Sequence, residues 1–135
     1  MSEADTALQA ALVARLAADA ALVALLGGPR VHDGPPRGAA TPYVALGEWR
    51  VRPLDTAEAT ASEHRFEVRV VSRAGGRREA AAIADRIAAL LDAAPPAPEG
   101  HRLANLVLVE RSAGEGRDRR SFEAALTFRA VTEPG

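Results

Sequence analysis

Few residues in this chain have types and spacings that could do chemistry. His32 and Asp33 are adjacent in "VHDGPP", and a carboxylate beside an imidazole can orient a general base. Adjacent side chains seldom point together, however, and the loop offers no nucleophile and no second histidine, so the pair reads as loop surface. His64 and His101 each stand where a strand is expected to begin. They lack any H-x-x-x-H or comparable spacing and read as surface residues rather than metal ligands. Gly75-Gly76-Arg77-Arg78 opens an expected helix, where backbone N–H groups can hold a phosphate. A P-loop needs its lysine, but all 17 basic residues are arginine, and a glycine turn with a solvated arginine pair is the simpler reading. Gly114-Glu115-Gly116-Arg117 looks like a dinucleotide fingerprint, but it precedes a strand, not a helix. Tyr43 and Trp49 lack the basic aromatic platform that stacks bases, and no G-x-S-x-G occurs. With no cysteine, disulfides, thiolate catalysis and Cys-ligated metals are excluded. No catalytic, cofactor or metal site assembles from the sequence, and the chain reads as a non-enzyme.

Composition narrows the partners. With 17 Arg and 18 acidic residues the net charge is -1, which gives no global attraction to nucleic acid or anionic membrane. The acidic start, Met1-Ser2-Glu3-Ala4-Asp5, lacks the basic opening of a signal peptide, and no apolar run approaches the roughly 20 residues of a membrane span. These features predict a soluble protein made in the cytoplasm. The Ala/Arg/Gly/Pro bias points to a GC-rich bacterial genome. At 135 residues, a single domain over 1–135 is expected.

The elements that must position these residues follow from periodicity. Leu8, Leu12 and Leu16, then Leu22, Val23, Leu25 and Leu26, predict an amphipathic helix from about Asp5 to Leu26, with a break near Ala18 where Asp19 can cap a second, shorter helix. Gly27-Gly28-Pro29 ends it. Val31 to Pro42 carries turn residues and is expected to be a loop. From Tyr43 a strand switches parity beside Gly47, the mark of a β-bulge, and Pro53 to Ser62 reads as a polar connection. In "EHRFEVRVVS", Phe66, Val68 and Val70 alternate with Arg65, Glu67 and Arg69. Ala80, Ile83, Ala84, Ile87, Leu90 and Leu91 form the stripe of a second main helix. "HRLANLVLVERS" is apolar on both faces, as a central or twice-covered strand would be. "SFEAALTFRAV" turns Phe122, Ala124, Leu126 and Phe128 inward, with Glu123, Thr127 and Arg129 outward. The expected fold is α+β: a four-stranded antiparallel or mixed sheet with two main helices packed on one face.

Taken in order, "LLGGPRVHDGPP", "TPYVALGEWRVRPLD", "HRFEVRVVSRAGGRREAAAIADRIAALLD", "GHRLANLVLVERS" and "RRSFEAALTFRAVTEP" resemble the tail-completion, or tail terminator, proteins of long-tailed phages and phage-derived gene transfer agents. The likeness covers nearly the whole chain and carries no catalytic motif. It implies a protomer that assembles as a homo-oligomer, a hexameric ring capping the head-proximal end of the tail tube. The implied partners are the tail tube protein, a head–tail connector or stopper protein, and DNA passing through the lumen without sequence-specific binding. No membrane and no cofactor are implied, and the protein would assemble in the cytoplasm before joining the particle at its tail–head junction. The family motifs do not assign surfaces. From pattern alone, His32, Asp33, Arg37, Arg65, Glu67, Arg69, Arg73, Arg77, Arg78, Glu115, Arg117 and Arg119 are the candidate interface residues. The alternatives are another head–tail joining protein, or a small α+β enzyme or ligand-binding domain.

Overall fold

The computed structural model describes residues 3–55, 60–74, 76–116 and 118–135. Helices α1 (Glu3–Ala17) and α2 (Ala20–Leu26) come first, then strands β1 (Val31–His32), β2 (Tyr43–Asp55) and β3 (Thr60–Ser72). Helix α3 (Gly76–Ala93) and strands β4 (His101–Glu115) and β5 (Phe122–Pro134) follow. The break expected near Ala18 is present, and α1 and α2 meet at 76°. Asp19 accepts a hydrogen bond from the Leu22 N–H at 2.9 Å and so caps α2. Gly27 ends α2 at φ 78°, the left-handed conformation that glycine adopts without a Cβ clash. The Arg86 guanidinium of α3 grips the same Asp19 carboxylate through two hydrogen bonds of 2.8 and 2.7 Å, tying the helix corner to α3.

The sheet has five strands in the order β1-β2-β3-β5-β4. The expected four-stranded sheet therefore gains a strand, and the two main helices become three. The extra strand lies in the segment expected to be loop. After the Gly-Gly-Pro stop, Val31 and His32 run parallel to Val44 and Ala45, and the Arg30 carbonyl accepts the Val44 N–H at 2.9 Å. All other pairings are antiparallel, so the sheet is mixed. The bulge beside Gly47 is confirmed by a register shift between Leu46 and Trp49. Strands β2 and β3 reach further than expected, to Asp55 and from Thr60, into the segment read as a polar connection, whose middle lies outside the described residues.

One sheet face carries the core. Leu8, Leu12 and Leu16 of α1, Leu22 and Leu26 of α2, and Ile83, Ile87 and Leu91 of α3 bury against Leu46, Phe66, Val68, Leu126 and Phe128. This is the expected packing of α3 on the sheet, except that Phe122 is half-buried at the margin. Trp49 stacks on Phe66 at 4.3 Å between centroids, and Phe66 stacks in turn on Phe128 at 5.5 Å. Among the described residues no single helix is long and apolar enough to cross a membrane, and the leucines of α1 and α2 belong to the core.

The largest departure from expectation is β4. It is an edge strand, exposed along most of its length, not a central one. Apolar residues on both faces usually mean cover on both faces. Here α3 covers one face only in part, with Leu103 and Leu106 touching the core, and Val107, Leu108 and Val109 are each 38–43% exposed.

Candidate functional site

The face of the sheet opposite the helices is a lattice of charges. Glu63, 5% exposed, receives Arg52 of β2 at 2.8 Å and Arg129 of β5 at 2.7 Å. The Arg52 hydrogen bond, with help from Arg129, holds the Glu63 carboxyl below its ordinary pKa against the opposing effect of burial. One row along, Arg50, Arg65 and Arg129 lie opposite one another across three strands. Like charges in register repel, and two of these three cations are drawn to carboxylates, Arg50 to Glu48 at 2.6 Å and Arg129 to Glu63. Further along, Arg69 bridges Glu67 on its own strand and Glu123 of β5. Gly47 sits tight against this lattice, because a Cβ there would come 2.7 Å from a Glu67 carboxylate oxygen.

Strand directions bring three loops to one end of this face: the 33–42 segment before β2, the turn after β3 and the β4–β5 connection. Arg73 reaches Asp118 at 3.2 Å and joins two of them. Asp118 builds its own loop by accepting the Arg120 and Ser121 N–H groups at 2.9 and 3.1 Å, and these bonds hold its carboxyl below the ordinary pKa. Arg77 lies over the Phe122 ring at 5.7 Å. An open groove of about 330 Å³ runs between the loops, lined by Pro36, Tyr43, Arg69, Arg73, Asp118 and Glu123.

The candidate interface residues fall in these two places. Arg65, Glu67 and Arg69 stand in one row of the open face. Arg37, Arg73, Arg77, Arg78, Glu115 and Arg119 are exposed at the loop end, while Arg117 and the Gly75 of the glycine turn lie outside the described residues. Asp33 is exposed, whereas His32 is half-buried in β1, edge-on to Tyr43 at 5.7 Å. The two do not act as a pair: no hydrogen bond joins them, and His32 Nε2 is buried without a partner among the described residues.

The reading of His64 as a surface residue is overturned. It lies inside β3, fully buried, because it shares the parity of Phe66, Val68 and Val70. Trp49 Nε1 donates to His64 Nδ1 at 3.2 Å, which leaves His64 Nε2–H to donate to Thr132 Oγ1 at 2.9 Å. Burial lowers its pKa, so the ring is neutral. His101 begins β4 as expected and is half-exposed. Among the described residues no three His, Asp or Glu side chains gather as a metal site requires. Periodicity did not reveal Glu63, Asp118 or the apolar edge of β4. The first two depend on partners distant in sequence, and the third on strand order.

The family model described as tail completion protein gp17 matches residues 10–133. The chain belongs to that family. It is a tail-completion protein, from a family of structural virion components. Its fold matches a chain of the virion of a native gene transfer agent particle at TM-score 0.85 and 31% identity, covering 96% of this chain and 97% of that one. It also matches the bacteriophage SPP1 gp17 protein at TM-score 0.62 and 23% identity, over 96% of this chain and 91% of that one, a likeness of fold. None of the curated proteins matches the sequence.

Proposed function

We propose that this tail-completion protein forms a ring, hexameric by family resemblance, at the head-proximal end of a phage-like tail tube. The ring stops the tube from growing and gives the head connector a surface to join, with DNA passing through its lumen. The observation that carries this reading is the end-to-end match to a gene transfer agent virion chain, which leaves almost no part of either chain unaccounted for. The geometry supports it in two ways. A tube grows by a repeating heterologous contact that contains no stop, so a terminator must present two unlike ends, and here one end of the sheet gathers three polar loops. The open face intersperses arginines with Glu63, Glu67 and Glu123, a balance suited to a conduit that must not hold phosphates tightly.

Electron microscopy of lysates from a deletion strain tests the proposal. Heads should fill with DNA, tails should be unjoined, and some tails should be abnormally long. Changing His32 and Asp33 together to Ala should not reproduce this defect, since they form no catalytic pair. Jointed particles of normal tail length in the deletion strain would refute the proposal.

A further inference from the structure

Among the described residues, five large apolar side chains are exposed: Leu25, Val51, Val107, Leu108 and Val109. Four of the five lie on the two open edges of the sheet, Val51 on β2 and the other three on β4. We propose that β4 of one copy pairs with β2 of a neighbouring copy, so that the sheet continues from protomer to protomer. This deepens the ring reading above and rests on it.

Both edges are available. Strand β1 pairs with β2 only at Val44 and Ala45, which leaves the outer side of β2 beyond Leu46 without a described strand. Strand β4 spans 15 residues and, among the described residues, pairs only with β5. A long apolar edge is a template for adding another strand, and proteins that stay single guard such edges with charge, proline or cover. Arg102 and Glu115 stand near the ends of β4 and Glu110 and Arg111 just past its middle, but no charge interrupts Leu103 to Val109. The register shift that inserts Val109 bends the strand there without placing a charge on it.

The two edges also fit each other. Alternating directions across β2, β3, β5 and β4 make β2 and β4 antiparallel, so a β4–β2 seam between rotated copies continues the same alternation. On the helix side, Leu106 and Leu108 lie opposite core-facing Ala130 and Phe128, and Val51 lies opposite buried His64. Their apolar groups therefore meet on one side of the seam. On the open side Glu110 of β4 faces the seam from one copy and Arg50 and Arg52 from the other, which is complementary in sign. The contact uses two different surfaces and so propagates from copy to copy, giving a ring where its rotation closes.

The absence of cysteine makes the test direct. Val51→Cys and Leu108→Cys in one chain, treated with a short bis-maleimide, should give a ladder of multiples of the 14.1 kDa chain on denaturing gels. Each single variant should stay at single-chain size. Dimers from Leu108→Cys alone would mean that two β4 edges meet symmetrically and would overturn the proposal. So would a double variant that stays uncross-linked while light scattering finds an oligomer, and in that case the ring reading survives. A protein that stays at single-chain mass at every concentration, uncross-linked, removes both. Independently, Val107→Lys with Val109→Lys should bring the solution mass down to one chain while leaving the far-ultraviolet circular dichroism of the folded protein unchanged. An unchanged oligomer mass in that variant also overturns the edge pairing.

Discussion

His64 joins the apolar core to a polar network, and its neutrality is a condition of the fold. Trp49 donates to one ring nitrogen and Thr132 accepts from the other, so a second proton would leave Trp49 Nε1–H facing a donor. Burial lowers the His64 pKa first of all; the nearby Asp5 charge opposes that and His101 adds to it. A base with a lowered folded pKa binds more protons when unfolded, so stability is intact above its ordinary value and falls as pH drops through and below about 6.5. Melting temperature should therefore fall between about pH 7 and about pH 5, and His64→Gln should flatten that slope while lowering stability at neutral pH. An identical slope in the variant would assign the pH dependence elsewhere. The alternation through Phe66, Val68 and Val70 already places residue 64 inward, so this burial was legible in the sequence. The burial of Glu63 was not, because its parity is outward and the arginines that bond it, Arg52 and Arg129, come from neighbouring strands distant in sequence.

Helix α3 and strand β3 are the elements whose patterns translate directly into structure. The α3 stripe is buried as its spacing requires, and Ile87, with no exposure, packs in the same cluster as Phe66, Val68 and Leu126. Ile87→Asp places an unpaired carboxylate there and should cost several kcal/mol, among the largest single-residue effects. A thermal melt within a degree or so of wild type would contradict this packing. Two elements escaped the sequence for opposite reasons. Strand β1 is two residues long, too short for any period, and forms because the chain leaving Gly27-Gly28-Pro29 runs beside Val44. Strand β4 has a strong signal that misleads: apolarity on both faces predicts burial within the chain, whereas the protomer leaves it at the edge. Only the order of strands, set by contacts distant in sequence, separates a covered strand from one with an unfilled side.

The whole molecule is polar in its organisation, with an apolar helix face, a charged open face and one end crowded with loops. The loops bring Arg37, Arg119 and Arg120 to the surface beside Arg77 and Arg78 at the start of α3, while Arg73 and Asp118 hold two of the loops together. The loop end adjoins the start of β2 and the finish of β4, whereas Val51 and Leu106 to Val109 lie further along those strands, so loop contacts and edge contacts are separable by mutation. Exposed charges contribute little to folding, with substitutions usually within about 0.5 kcal/mol. Arg37→Glu with Arg119→Glu should accordingly melt like wild type and form the same oligomer. It should nevertheless weaken binding at the loop end, where the exposed Arg37, Arg77, Arg78, Arg119 and Arg120 favour an acidic partner surface. Particles carrying the double variant should then show more unjoined heads and tails under the microscope, most severely at high salt, because screening removes what attraction remains. Normal joining by this variant would move the partner surface away from the loops, and loss of the oligomer instead would place these arginines in the seam between copies.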